Sequence, residues 1–122
     1  MSHNMTHQEK HKIAASFPDQ YETNRLDLEL SAVEFRTFED GIFAESMEEK
    51  WNVFVLSDII YFARSWTNFC IYKVSVKKDK FHIVLSEFKI NRDESQYRSK
   101  DLDYDTVLLK KLLKMFIKTE DF

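Results

Sequence analysis

The chain has 122 residues, which suffices for one hydrophobic core but not for two, and its 43% hydrophobic and 32% charged residues are typical of a globular protein. Its formal net charge of -3 provides no basic field to attract nucleic acid, and no apolar run approaches the ~20 residues needed to cross a bilayer. Because Gly41 is its single glycine, the chain excludes both the P-loop and the dinucleotide-binding fingerprint, each of which needs several glycines.

The beginning of the chain divides into a tail and the start of a domain. Residues 1–10 are polar and are predicted to form a loose tail, so that a single domain spans residues 11–122. A short helix is predicted over residues 8–16. Pro18 ends it, because the residue before a proline avoids helical angles.

Three histidines of this region, His3, His7 and His11, recur every four residues. A helix would align them on one face, where imidazoles can bind a metal ion. A frayed polar terminus explains the same spacing more simply, and we therefore predict no metal site.

The next segment changes to a period of two. Leu26, Leu28 and Leu30 alternate with polar residues, which is typical of a half-buried strand, and the strand is predicted to continue to about residue 38. Residues 39–49 are acidic and could hold one helical turn.

Four apolar runs rich in β-branched and aromatic residues follow, over residues 51–56, 59–66, 69–76 and 81–90. Ser57 and Asp58 separate the first two runs by a hairpin-length turn, although neither residue readily takes a positive φ. The charged segment that contains Lys78 separates the last two. The four runs predict a consecutive antiparallel meander.

A C-terminal helix is predicted from a cap at Asp101 or Asp103 to about Lys118. Its apolar stripe is predicted to consist of Val107, Leu108, Leu112, Met115 and Phe116. The fold class is therefore α+β, with an antiparallel four- to five-stranded meander sheet packed against the C-terminal helix and a short N-terminal helix.

The first candidate site is the run Arg64-Ser65-Trp66-Thr67. An arginine on an apolar strand needs a partner, because an unpaired buried charge costs several kcal/mol. One interpretation is an internal ion pair with Glu87. The other is a bound phosphate or carboxylate, which a guanidinium grips with two hydrogen bonds, with the two hydroxyls as further donors and the indole as a stacking surface.

Two further segments are candidates. Lys50 and Trp51 place a cation beside an aromatic ring at a strand start, where core packing competes with ligand stacking. Arg92, Tyr97 and Arg98 follow the last strand, in a connector that either binds a ligand or is simply solvated. A nucleophilic pair of Cys70 and His82 is a further, weaker possibility, since an isolated strand cysteine usually packs as a small hydrophobe.

Two stretches of the chain resemble a largely uncharacterised group of small bacterial proteins and domains. The group has Glu-Lys-Trp, then a strand ending Leu-Tyr-Phe-His-Arg-Ser-Trp-Thr-Gly, then Ile-Tyr, and later Asn-Arg-Asp-Pro-Glu-Gln-Tyr. The first stretch is matched here by Glu49-Lys50-Trp51, Tyr61-Phe62, Arg64-Ser65-Trp66-Thr67 and Ile71-Tyr72. The second is matched by Asn91-Arg92-Asp93 and Gln96-Tyr97-Arg98, followed by Asp105 and Leu108-Leu109. The resemblance covers roughly residues 48–118.

Some members of that group are joined to, or described with, ADP-ribosylglycohydrolase-type proteins, so the resemblance implies a link to ADP-ribose chemistry. This chain departs from the pattern at Ala63, where the group has histidine, and at Asn68, where it has glycine. If the histidine transfers protons in relatives, this chain is expected to bind rather than to catalyse.

The preferred prediction is a binding domain for a phosphate-bearing, nucleotide-like ligand such as ADP-ribose, free or on an ADP-ribosylated protein. Arg64 and Arg92 would hold phosphate, and Trp51, Trp66 or Tyr97 would stack on the base. No cofactor, nucleic acid or membrane partner is predicted. The single cysteine and the absence of a signal peptide predict a cytoplasmic location.

Two alternatives remain open. One is a protein-interaction module, such as an immunity or antitoxin-like inhibitor of a partner protein, because Tyr, Trp and Arg favour interfaces. The other is a hydrolase that processes ADP-ribose with a carboxylate near Arg64. A small-ligand site requires Arg64 and Arg92 to meet at one concave pocket, whereas an interaction module predicts an apolar patch and internally paired arginines.

Overall fold

The computed structural model describes residues 5–118. They form a five-stranded antiparallel sheet with strand order β1-β5-β4-β3-β2, together with three helices, which confirms the α+β class. In chain order the elements are α1 (His7–Ala15), β1 (Tyr21–Leu30), α2 (Ala32–Asp40), β2 (Trp51–Leu56), β3 (Ile59–Arg64), β4 (Cys70–Lys78), β5 (Ile83–Asn91) and α3 (Leu102–Lys118). Across this part of the chain, no helix has the length and apolar character that crossing a bilayer requires.

The predicted meander is confirmed, since β2, β3, β4 and β5 pair consecutively, and β1 extends the sheet along the free side of β5. Ser57 and Asp58 both adopt positive φ, 49° and 60°, although the sequence does not favour it. Two positive φ values match the twist of a two-residue hairpin. Geometry of the sheet therefore overrides the local preference of these residues.

The prediction that the first strand continues to residue 38 is wrong. After Leu30 the chain enters α2, and Ser31 and Glu34 form a capping box: each side chain accepts a hydrogen bond from the other residue's backbone N–H. The helix buries Phe35 and Phe38 against the sheet. These phenylalanines are three residues apart, which fits one face of a helix rather than one face of a strand.

The N-terminal helix begins one residue earlier than predicted, at His7, within the segment predicted to be a tail. Thr6 and Glu9 form the same kind of capping box, and Met5 before them is buried. Ile13 packs on the face of the sheet opposite to α2 and α3. That face also buries Ala63 and Cys70.

The larger core lies between the sheet and the two helices α2 and α3. Asp101 accepts a hydrogen bond from the backbone N–H of Tyr104 and begins α3, as one of the predicted caps. Leu109 and Leu113 are fully buried, whereas Val107 and Met115 of the predicted stripe are about half exposed. The helix is therefore rotated relative to the predicted stripe.

Candidate functional site

A groove of about 500 Å³ opens where the C-terminal end of β3 and the β3–β4 turn meet the connector after β5. We call it the Arg64 groove. Its walls are formed by Lys50, Arg64, Ser65, Trp66, Thr67, Phe69, Ser95 and Gln96. The structure thus brings together Lys50 and the whole predicted run 64–67. The volume of the groove is within the range of small-molecule sites.

The guanidinium of Arg64 lies over an aromatic wall. Its guanidinium carbon is 4.5 Å from the centre of the Trp51 ring and 6.0 Å from that of Tyr97. Trp51 is 8% exposed and stacks on Tyr72, so this wall belongs to the core and is rigid. Such stacking orders the guanidinium without neutralising its charge or using its N–H donors.

The predicted ion pair between Arg64 and Glu87 is wrong. Glu87 lies on β5 opposite Arg25 of β1. Within residues 5–118, no carboxylate is within ion-pair distance of Arg64, and its guanidinium donates no hydrogen bond. A positioned guanidinium whose N–H groups make no hydrogen bond is a feature of anion-binding sites.

Trp66 provides the exposed aromatic surface of the groove. Its side chain is 72% exposed, and its Nε1–H donates to the carbonyl oxygen of Met47 at 3.2 Å. That hydrogen bond fixes the indole from one end. A ring held in this way has one face available for stacking on a planar ligand.

The β3–β4 turn that carries Trp66 is held by backbone and hydroxyl contacts. Ser65 Oγ donates to the carbonyl oxygen of Glu49 at 2.7 Å, and Thr67 Oγ1 accepts from the Phe69 N–H. Asn68 has φ 60°, a region that glycine and asparagine tolerate best. Asn68, at the position where the small bacterial group has glycine, is therefore compatible with the turn. The hydroxyls of Ser65 and Thr67 are engaged in hydrogen bonds within and beside the turn.

Ala63, at the position where the small bacterial group has histidine, is fully buried and belongs to the core cluster that includes Ile13 of α1. Its neighbour Arg64 contacts Trp51, which belongs to the core on the opposite face of the sheet. Successive strand residues alternate between faces, so a histidine at position 63 of this fold would not enter the Arg64 groove.

The structure does not bring Arg92 to the groove. Its guanidinium pairs with Glu22 of β1 and with Asp105 of α3, and its side chain is 11% exposed. Burial opposes the charge, but the hydrogen bonds to Glu22 and Asp105 outweigh that effect and raise the pKa of Arg92. Arg92 therefore links the connector after β5 to β1 and to α3, and carboxylates of the protein itself already pair with its charge.

Asp105 is the centre of this buried network and is fully inaccessible. From within residues 5–118 it accepts hydrogen bonds from Tyr72 Oη at 2.8 Å, Arg92 Nη1 at 2.9 Å, Ser99 Oγ at 3.1 Å and Tyr97 Oη. Four donors to one carboxylate fix α3 and the connector against the sheet.

Tyr97 contributes to the site indirectly. Its hydroxyl is engaged by Asp105, while its ring lies beside Arg64. Burial, followed by the hydrogen bonds to Tyr97 and Asp105, raises the pKa of Tyr72, and burial with the Asp105 hydrogen bond raises that of Tyr97. Both hydroxyls remain protonated donors. Arg98, the remaining predicted residue, is exposed and lines none of the grooves described here.

Two further depressions adjoin the Arg64 groove. One, of about 380 Å³, lies on the other side of Ser65 and Trp66 and includes Met47. The other, of about 400 Å³, shares Lys50 and runs along α3, with Leu108 and Met115 in its wall. The surface around residues 42–50 and 64–69 therefore carries three adjoining depressions.

The Cys70–His82 pair is not formed, because the two residues lie at opposite ends of β4. Asn91 donates to the carbonyl oxygen of Cys70, whereas His82 sits beyond the Lys78 end and pairs with Glu29. Burial raises the pKa of the Cys70 thiol to about 12, so it is unreactive at neutral pH.

Several residues of the site were not predicted. Ser95 and Gln96 enter the groove because the buried Asn91 side chain donates to Gln96 Oε1 and Asp93 accepts from Ser95. The sequence signal was the Asn-x-Asp-x-Ser spacing, which favours side-chain-to-backbone turns. The sequence around Asp105 contains no signal that separates a carboxylate at the centre of a buried network from one that caps a helix.

No family model, curated protein or solved structure matches this chain. The resemblance to the small bacterial group stays a prediction.

Proposed function

We propose that the domain binds a small ligand that joins an anionic group, such as phosphate, to a flat ring, and that the Arg64 groove is the binding site. The observation that supports this most is Arg64 itself. It is stacked on Trp51 at 4.5 Å, without a carboxylate partner among residues 5–118, at the wall of a groove of nucleotide size.

The roles follow from position. Arg64 and the exposed ammonium of Lys50 would contact the anionic group, since the two side chains share the groove. The indole of Trp66 would stack on the ring. Arg92 has no part in this scheme, because Glu22 and Asp105 already pair with it. The expectation that Arg64 and Arg92 meet at one pocket is therefore not met, and the proposal depends on Arg64 and Lys50 instead.

The resemblance to the bacterial group makes ADP-ribose, free or attached to a protein, the first ligand to test. The described walls of the groove contain hydroxyls, an amide and two cations but no carboxylate or imidazole. The proposal is accordingly for recognition and not for turnover. We place this activity in the cytoplasm, where a lone thiol such as Cys70 stays reduced.

Thermal unfolding with a ligand panel tests the proposal. ADP-ribose, ADP, AMP, adenosine and inorganic phosphate are compared on wild type, Arg64→Gln and Arg36→Gln. Arg36 is the matched control, because it is exposed on α2 and lines none of the three grooves. A ligand at 100 times its Kd stabilises by about 2.7 kcal/mol, which raises Tm by several degrees.

We expect a shift with at least one nucleotide that is lost in a folded Arg64→Gln and kept in Arg36→Gln. Trp66→Ala should weaken the binding of ligands that carry a ring and leave the binding of inorganic phosphate unchanged. Absence of any shift, or equal shifts in all variants, contradicts the proposed site.

A protein-binding role is the second candidate, because Trp66 and Met47 adjoin and are 72% and 76% exposed. Tryptophan and methionine are enriched at interfaces. If the domain has this role, a purified partner protein should bind wild type, and Trp66→Ala should lower the affinity of that complex at least tenfold. Arg64→Gln should lower it less. Equal affinities for wild type and Trp66→Ala would reject it.

A further inference from the structure

His7 and His11 form a pair one turn apart on α1, and neither lines the Arg64 groove. The capping box of Thr6 and Glu9 fixes the first residue of the helix, so the two histidines occupy successive turns of the same face. His3, the third histidine of the pattern, lies outside the described residues. The helical alignment predicted from the spacing is therefore realised by His7 and His11.

The two imidazoles converge. Their Nε2 atoms are 2.8 Å apart, and the rings meet edge to face with centroids 4.3 Å apart. Both side chains are exposed, and within residues 5–118 no carboxylate contacts either ring. The hydrogen bond between them uses one Nε2 as donor and the other as acceptor, so both nitrogens already point at a common position.

This spacing is close to that of two nitrogens on one metal ion. Two metal–nitrogen bonds of about 2.0–2.1 Å place the nitrogens about 3.3 Å apart at a tetrahedral centre and about 2.9 Å apart at neighbouring square-planar positions. A small rotation of either ring spans the difference, and a change of tautomer, with the proton on Nδ1, presents both lone pairs.

We propose that His7 and His11 form a two-nitrogen site for a transition-metal dication of the Cu²⁺, Ni²⁺ and Zn²⁺ class. Solvent or a donor from a bound molecule completes the coordination. Neutral imidazole nitrogens select these ions over Mg²⁺ and Ca²⁺, which prefer oxygen ligands. The proposal is independent of the Arg64 groove, because it depends on different residues and a different chemistry.

Metal bridging should also stabilise the helix. Both ligands lie within α1, and α1 covers the outer face of the sheet through Ile13. A metal ion that binds only when the helix is formed favours the folded state, because it has little affinity for the unfolded chain.

Isothermal titration with Zn²⁺, Ni²⁺ and Mg²⁺ chlorides at pH 7.5 tests the proposal. All proteins carry His3→Gln, so that the third N-terminal imidazole cannot contribute. His7→Gln and His11→Gln are compared with His82→Gln, the control that removes an exposed imidazole paired with Glu29 instead.

We expect one equivalent of Ni²⁺ or Zn²⁺ to bind the parent, with affinity lowered about tenfold or more by either helix substitution and unchanged by His82→Gln. Mg²⁺ should not bind, and bound Ni²⁺ should raise Tm in the parent and in His82→Gln but not in His7→Gln or His11→Gln. Affinity that is equal in the parent, His7→Gln and His11→Gln overturns the proposal, as does the absence of binding at millimolar Ni²⁺ and Zn²⁺.

Discussion

Replacing Asp105 by asparagine should destabilise the whole fold, because the carboxylate is the common acceptor of four donors. Oδ1 accepts from Tyr72 and Tyr97, and Oδ2 accepts from Arg92 and Ser99. An amide has one acceptor oxygen, so in either orientation its NH₂ group faces donors. The substitution also leaves the guanidinium of Arg92 with half of its ion pairing.

Breaking a buried ion pair by removing one partner costs about 3–5 kcal/mol, a large part of the about 5–15 kcal/mol that a domain has. Urea unfolding is the assay. At an m value of about 1.5–2 kcal/mol/M, the midpoint for Asp105→Asn should fall by roughly 2 M. Asp103→Asn is the matched control, because Asp103 is exposed in the same helical turn and its loss should cost at most about 1 kcal/mol. A cost below 1 kcal/mol for Asp105→Asn would refute the role given to the network.

Three further predictions concern other parts of the fold. The hydrogen bond that His82 donates to the Glu29 carboxylate, followed by the negative charge of that carboxylate, raises the pKa of His82, so an NMR titration should find the pKa above 6.5 and Glu29→Gln should lower it. Because the folded pKa is raised, the stability from this pair is complete below the unfolded pKa and is lost as pH rises through the folded value; an unshifted pKa would contradict it. The double substitution Ser57→Asn, Asp58→Gly supplies the preferred residues for a turn with two positive φ angles, and should raise stability by about 0.5–1 kcal/mol in thermal melts, whereas a lower Tm would count against it. The buried Cys70 thiol, with its pKa near 12, should react with a disulfide reagent at pH 8 only after unfolding, and fast labelling of folded protein would disprove its burial.

Elements made of long β-branched and aromatic runs were predictable. The runs that became β2 to β5 have continuous β-branched and aromatic residues, and the sheet pairs them in chain order. The helix α2 was missed because Val33 and Phe35 are two residues apart, as in a strand, although they are out of phase with Leu26, Leu28 and Leu30. The decisive signal was the capping box, Ser31 with Glu34, which has a local physical basis and was present in the sequence.

The candidate site was predictable only in part. Residues 64–67 are adjacent in sequence, and a turn keeps them together, so the run was found as a unit. Arg92 was misassigned because its partners are distant: Glu22 is 70 residues away and Asp105 is 13. The charge of a side chain is visible in a sequence, but whether an anion already neutralises it depends on tertiary pairing.

The most direct test of the central claim is an NMR titration of the ¹⁵N-labelled protein with ADP-ribose, followed at the Trp side-chain N–H and Arg Nε–H signals. The Arg64 groove predicts saturable shifts at Trp66 and Arg64, with the Arg92 signal, which is held by Glu22 and Asp105, nearly unchanged. Saturable shifts at Arg92 without shifts at Arg64 and Trp66, or no shifts at millimolar ligand, would contradict the account.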